Sequence, residues 1–481
     1  MTISRRTAIK SLAAIGAASG VAACAEVEQN QTSSELSKEQ ANKPSNELPK
    51  QSLAIPDEPN ELLMNHANAV EEMQKAGVDL LICRDPINIQ YLTNLRTTPE
   101  VLGMDGASYA TLKSSEDKKP TFIGSRIQFY FDTPKTSVMD QLDFRFVGIP
   151  AEPDLYGKLE QAQDIINAPA AVFAMPKMHE EQPLSPLEAR RLKQIERAFS
   201  ELKATSEAAI LAEILEADLP NKTIAIDDLM LRSVVEKSGL DVRIVDGERL
   251  VRRMRLIKSP LEIEYMRFSA EANSLAAKAA ARSVRQGATF ADVRKQFAIA
   301  CAQYGTRAKF MMLDTHTPNL SRGEIKDGRS FLMDSVSAFE NYHGDYGRTV
   351  CLGEPNKKMQ RVIKGLSDTW DRVLPELKPG VSFEDIIKLT MRLFGETGLD
   401  VGYGVNPHNV GMHHHDDPTA FDFPLNYYKD NTTLREGMII SIDMPFLDVG
   451  LGGSAHLEDS VLITKDGPEL INDPSDRVII I

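Results

Sequence analysis

Apolar and polar residues alternate along this chain in two distinct registers. Leu62, Leu63, Ala67, Val70 and Met73 recur at helical spacing and stop at Gly77. A strand over 78–83 follows, broken by Asp85-Pro86. Short apolar runs predict further strands at 121–124, 144–147 and 171–174, and helical periodicity fills 153–166 and 186–215. Strands alternating with helices describe an α/β domain to about residue 248. It contains no phosphate-binding glycine loop, and the glycines at 450–453 lack a surrounding βαβ unit.

A second unit opens after Arg252-Arg253. Ser259 is placed to cap a helix, Pro260 suits its first position, and Glu262 completes a capping box. Ile263, Met266, Ala270, Ala277 and Val284 supply the apolar face of that helix, which runs to about Arg285. Beyond it the sequence repeats. QGATFADVRKQFAIACAQYG (286–305) and PGVSFEDIIKLTMRLFGETG (379–398) share length, a second-place Gly, a Thr or Ser cap, the following Phe and a closing Gly. A Gly-led strand follows each, GRSFLMD ending at Asp334 and GMIISID ending at Asp443. A second carboxylate follows each strand, Asp345 in one half and Glu458 in the other. The pattern predicts two αα-ββ halves related by a pseudo-twofold, delivering four acids to one centre.

The stretch 328–350 shows why those acids matter. Phe331, Leu332 and Met333 belong inside a sheet, Asn341, His343 and Gly344 read as a turn, and Asp334 and Asp345 lie on the two arms. A carboxylate in an apolar strand is costly unless paired, and two close together call for a cation. A lone acid here would be a cap or a salt bridge; four at repeated positions point to metal. NPHNVGMHHHDDP adds His408, His413, His414 and His415. Four carboxylates and one imidazole suit two divalent ions about 3.5–4 Å apart, of the manganese, iron, cobalt or zinc type rather than calcium.

Composition narrows the rest. A chain of 481 residues exceeds one ordinary core. A net charge of −14 offers no basic footprint for nucleic acid. The four cysteines are spread over the chain with no CxxC, which suggests neither a zinc ribbon nor a disulfide scaffold. Ser4-Arg5-Arg6 with Lys10, then an Ala-rich stretch ending in Val21-Ala22-Ala23-Cys24, reads as a twin-arginine leader over 1–23. Cys24 would be the acylated first residue of an exported protein, held at the cell envelope or periplasm by that lipid alone; the alternative is a soluble exported product. Residues 24–55 have the composition of a flexible tether. Domains are thus expected at 56–248 and 249–481.

At this point the residues resemble a known family, the pita-bread metallopeptidases, in their aminopeptidase P, prolidase and creatinase branch. Asp334, the eleven-residue step to Asp345 and Gly347-Arg348-Thr349 are similar to its first ligand motif. His408 and His415, seven apart with Gly411 between, resemble its histidine motif. LREGMIISIDMP and HLEDSVLITKDGPELI resemble the third and fourth. The resemblance extends more loosely over RRMRLIKSPLEIEYMR and VDLLICRDPINIQYLTNL, so it covers about 56–481. It implies an α/β N-terminal domain plus an α+β C-terminal pita-bread domain with an internal pseudo-twofold repeat.

The resemblance also implies that Asp334, Asp345, His408, Asp443 and Glu458 bind two metal ions, manganese first, with zinc, cobalt or iron as the others. His415 would hydrogen-bond the substrate carbonyl, Asp443 would shuttle a proton, and His316 is matched to an additional active-site histidine. His413 and His414 are expected to be exposed neighbours. The implied activity is Xaa-Pro aminopeptidase or dipeptidase hydrolysis of short peptides, in a homodimer or higher oligomer. Three departures leave creatinase-like C–N hydrolysis, a metal-dependent lyase acting on a small molecule, and a non-enzymatic binding member open. Asp443 stands where the family has Glu, Pro407 precedes the ligand histidine in place of Gly, and His456 replaces an Arg common two residues before the last Glu.

Overall fold

The computed structural model describes residues 53–96, 108–126, 128, 129, 135–171, 179, 181–198, 202–314, 323–399, 405–416, 432–448 and 450–481. The leader, Cys24, the tether up to residue 52 and His316 lie outside the described residues.

The first half of the described chain is built on a seven-stranded mixed sheet. Its order is Leu202–Lys203, Asp143–Val147, Thr121–Ser125, Tyr109–Lys113, Leu80–Cys83, Thr223–Ile226 and Arg243–Asp246. Tyr109–Lys113 runs antiparallel to both its neighbours and the other pairings are parallel. Helices on the sheet, with His66–Ala76 beside the first strand, make this region α/β, as the alternating pattern predicts. Several local expectations are corrected. Asp85-Pro86 ends a strand but also starts a helix, Pro86–Thr93, because the Asp85 carboxylate accepts from the Ile87 and Asn88 amides. The helical pattern over 153–166 splits at Gly157, a weak helix former, into Pro153–Tyr156 and Ala162–Asn167. The pattern over 186–215 also divides, into Pro186–Ala198 and Ser206–Glu216, with Leu202–Lys203 joining the sheet edge between them. Ala170–Ala171 pairs with Ile149–Pro150 away from the main sheet.

The second region is labelled here as α1 (Pro260–Arg282), α2 (Phe290–Gln303), β1 (Arg307–Leu313), β2 (Ser330–Phe339), β3 (Tyr342–Cys351), α3 (Lys357–Val373), α4 (Phe383–Glu396), β4 (Asn406–Asn409), β5 (Ile439–Asp443), β6 (Val461–Thr464), β7 (Gly467–Leu470) and β8 (Val478–Ile480). Two four-stranded sheets result, β1-β2-β3-β8 and β4-β5-β6-β7. The capping box at α1 forms as predicted, with the Ser259 amide donating to Glu262 Oε2 (2.8 Å) and the Glu262 amide to Ser259 Oγ (3.1 Å).

The repeat is structural down to its backbone hydrogen bonds. Thr289 accepts from the Asp292 amide as Ser382 does from Asp385. The Phe290 amide reaches the Gly323 carbonyl as that of Phe383 reaches Thr432, and Ile325 pairs with Ala288 as Leu434 does with Val381. Gly287 and Gly380 take φ of 81° and 94°, and Gly328 and Gly437 take 73° and 86°. These left-handed turns explain why glycine recurs at both places.

The hairpins, however, differ. β2 and β3 are each buried along all ten residues and are joined by Glu340-Asn341, both at positive φ. His343 and Gly344 therefore belong to the strand, not to the turn. In the other half β5 pairs with β6 only at Ile439↔Leu462 and Ile440↔Val461. Glu458 precedes β6 and forms a two-way backbone bridge with Gly347 of the first hairpin (3.2 and 3.0 Å). The fourth acid is thus delivered across the pseudo-twofold rather than along its own hairpin.

Candidate metal centre

Strand periodicity sets the first two acids. Asp334 lies opposite Gly347 and Val336 opposite Asp345, so both carboxylates leave the same face of the β2-β3 ladder. The other face carries Phe331, Met333, Tyr346 and Val350 into an apolar cluster with α1 and α2. Gly344 lets α1 approach that face: a Cβ there would stand 2.3 Å from the Ser269 carbonyl oxygen. On the second sheet, His408 lies opposite Ser441 and Asn406 opposite Asp443, which again sends the functional side chains to one face. β4 is an edge strand. The Val410 amide points to β5 and the Asn409 carbonyl points away, to Asp416. The alternation puts the Pro407 nitrogen on the outer side, where a missing N–H breaks no ladder.

The two faces converge. Asp345, His408 and Glu458 carry donor atoms within 4.8 Å of one another, and so do Asp334, Asp443, His456 and Glu458. His408 Nε2 stands 3.5 Å from Asp345 Oδ2, 3.4 Å from Asp443 Oδ2 and 3.8 Å from Glu458 Oε1. It makes no hydrogen bond with any of them. Its Nδ1 faces the Asn409 carbonyl at 3.3 Å, which favours the tautomer leaving a lone pair on Nε2. Asp334 Oδ1 and Asp345 Oδ1 are likewise buried with no hydrogen-bond partner among the described residues.

Supporting contacts hold the acids in place. Asn406 Nδ2 donates to Asp443 Oδ2 (3.0 Å) and Ser441 Oγ to Glu458 Oε1 (2.7 Å). Arg348 donates to the Glu458 carbonyl (2.6 Å) and to Asp459 Oδ1 (2.5 Å).

The electrostatics of this cluster suit a cation. Burial first, then Glu458, Asp345 and Asp443, push the Asp334 carboxyl well above the usual range. Burial and Glu458 also raise Asp345. At His408 burial opposes the imidazolium, but contacts with Asp443 and Glu458 outweigh it and the pKa rises. Clustered acids that share protons with a histidine would release those protons to a divalent ion. Buried orphan oxygens plus an available imidazole lone pair therefore fit a metal of the borderline class.

The sequence-named residues divide into several cases. Asp334, Asp345, His408, Asp443 and Glu458 are brought together. His415 stacks its ring on His408 (3.8 Å between centroids, 9° between planes). Burial, then His408 and His414, lower its pKa to about 2, so it is a neutral hydrogen-bonding group. His413 and His414 are not the exposed neighbours expected. The turn folds back on the sheet, so His413 Nδ1 meets Arg255 Nη2 (2.7 Å) and His414 Nε2 meets Asp345 Oδ2 (3.1 Å). Asn406 and Ser441 were missed, although each shares the period-2 face of a named ligand. His456, noted only as a change near Glu458, lies within the cluster itself.

The model of metallopeptidase family M24 matches residues 264–465. The Xaa-Pro dipeptidase of Pyrococcus horikoshii is 24% identical over 260 residues, covering 51% of this chain and 72% of that one. The Pyrococcus furiosus Xaa-Pro dipeptidase is 25% identical over 270 residues, covering 53% and 75%. Among solved structures, an Xaa-Pro dipeptidase from Bacillus anthracis superposes with a TM-score of 0.60 at 16% identity, over 87% of this chain and all of that one. An X-Pro aminopeptidase from Thermotoga maritima gives 0.58 at 15% identity, over 87% and 99%. At that identity the solved structures speak for the fold.

Proposed function

We propose that this chain, whose residues 264–465 match the model of metallopeptidase family M24, is a metal-dependent peptidase that hydrolyses short peptides at Xaa-Pro bonds. The observation that carries this reading is the set Asp334, Asp345, His408, Asp443 and Glu458, buried apart from the partly exposed Asp443, in which Asp334 Oδ1, Asp345 Oδ1 and His408 Nε2 lack hydrogen-bond partners among the described residues. These residues would hold two divalent ions, of manganese, zinc, cobalt or iron. Such ions supply Lewis acidity, polarising a carbonyl oxygen and making a water acidic enough to attack at neutral pH.

The protein's own groups do the rest. His415, neutral and stacked on His408, donates a hydrogen bond to the scissile carbonyl oxygen as negative charge develops there. Asp443 is the least enclosed of the acids, with a side chain 19% exposed. Its carboxylate takes the proton of the attacking water and passes it to the departing prolyl nitrogen. Burial of Asp345, His408 and Glu458 excludes bulk water and strengthens these interactions.

The test is hydrolysis of Xaa-Pro dipeptides and Xaa-Pro-Yaa tripeptides by protein purified without chelator, beside small non-peptide C–N substrates. Expected are two ions per chain and peptide turnover that falls more than roughly 100-fold on chelation and returns with added metal. Undiminished turnover in metal-free protein would overturn the proposal, and turnover of the non-peptide substrates alone would reassign the chemistry.

A further inference from the structure

By the family resemblance His456 takes the place of an Arg, and from the sequence it reads as a change beside Glu458. Its position in the cluster says more. Resting on the two-metal reading above, we propose that His456 is itself a metal ligand through Nε2, giving the centre a second imidazole opposite that of His408.

Of three sets of converging donors, one is made of His408, His414 and His415; the two that contain carboxylates each have one histidine and share Glu458. Glu458 turns Oε1 toward His408 Nε2 (3.8 Å), and its Oε2 shares a hydrogen bond with His456 Nε2 (3.1 Å), a contact that a cation between the two groups would replace. Asp443 straddles the same two rings, with Oδ2 at 3.4 Å from His408 Nε2 and Oδ1 at 3.7 Å from His456 Nε2. The arrangement is two cation positions, each with its own imidazole and with Glu458 and Asp443 between them. The Asp334 carboxylate completes the His456 position and Asp345 the His408 position.

The fold has made room for this ring. A Cβ on Gly347 would lie 2.2 Å from His456 Cδ2 and 2.4 Å from Nε2, so the imidazole occupies space that only glycine leaves at that point of β3. His456 is buried and precedes Glu458 by two residues, and the hydrogen bond between their side chains sets both on the same side of the chain. A guanidinium in that place could only donate hydrogen bonds, because it has no lone pair to offer. An imidazole can give its lone pair, and a nitrogen added to an oxygen-rich site shifts preference toward zinc, cobalt or iron and away from manganese.

The experiment uses the full chain loaded with Zn²⁺ or Co²⁺ and counts bound ions, together with imidazoles per ion by X-ray absorption. His456→Gln and His456→Arg are measured in parallel, and folding is checked by circular dichroism. Wild type is expected to hold two ions with two imidazoles per pair. Both variants should retain one imidazole per pair, bind one of the ions more weakly by roughly 10-fold or more, and lose preference for zinc over manganese. Two ions with a single imidazole in wild type, or variants whose imidazole count and affinities match wild type, would leave His456 a hydrogen-bond donor to Glu458 and overturn the inference alone. No ion bound by wild type would remove the two-metal reading together with it. The wild-type count decides the matter even where a variant fails to fold.

Discussion

At the residue scale, the site depends on one missing methyl group as much as on its ligands. Gly347 does not need a left-handed conformation, so Gly347→Ala leaves the backbone unstrained. Its effect is steric: the new Cβ meets His456 at 2.2 Å and Glu458 Cβ at 2.8 Å. The variant is expected to fold, to lose metal affinity in chelator competition, and to lose on the order of 100-fold in kcat/KM. Wild-type affinity and turnover in Gly347→Ala would show that the ring can move aside without consequence. The clustered acids were legible because their positions recur, and because Asp334 and Asp443 end apolar strand runs. Asn406 and Ser441 were not, since a polar side chain near a ligand becomes a support only when another strand brings its partner within reach.

At the element scale, β3 serves two partners through its two faces. Asp345 and Gly347 face the site, and Gly344 faces α1 in van der Waals contact with its backbone. α1 is further tied to the hairpin by Ser269 Oγ, which donates to the Tyr342 carbonyl (2.7 Å), and by Asn273 Nδ2, which donates to Ser335 (2.7 Å). Gly344→Ala places a Cβ 2.8 Å from Ala270 Cα and must push the helix off the sheet. Urea unfolding should show a loss of about 1–3 kcal/mol. Metal bound per folded chain should be unchanged, in contrast with Gly347→Ala three residues away. A loss of metal without a loss of stability would reverse the assignment of faces. The helices and caps of both repeats were readable because capping is local. The second hairpin was not, because the strand that Glu458 bridges comes from the other half of the repeat.

At the scale of the whole molecule, a buried polar network joins the N-terminal sheet region to the histidine turn. Arg255 donates to Asn88 Oδ1 (2.9 Å) and pairs with Asp416 at 3.0 Å, both partners nearly fully buried. Ser259 Oγ donates to the Leu63 carbonyl, and Tyr342 Oη donates to Glu262 Oε1. Burial raises Glu262 from 4.5 to about 7, against the Ser259 hydrogen bond and the charge of Lys258. Burial lowers Lys258 to about 8, against Asp416 and Glu262. An acid whose folded pKa is raised holds its proton more tightly when folded. Its contribution to stability is complete below about 4.5 and lost as pH rises through 7. The depressed Lys258 acts in a higher window, losing stability as pH falls from 10.5 through 8. Glu262→Gln should therefore gain stability relative to wild type between pH 4.5 and 7. The gain should be on the order of 2–3 kcal/mol, read as the difference between unfolding free energies across that range. A difference that stays constant with pH would mean that Glu262 remains ionised throughout.

With the choice of His408 resting on the family resemblance, the sequence by itself determined the α/β beginning, the repeated caps and the recurring positions of the four acids. Each of these follows from backbone geometry or from residue chemistry at short range. Only the tertiary structure decided that Glu458 crosses to Gly347, that the histidine turn folds His414 onto Asp345, and that His456 stands among the acids. These depend on two sheets meeting, and distance across that meeting is not encoded in the spacing of any one strand.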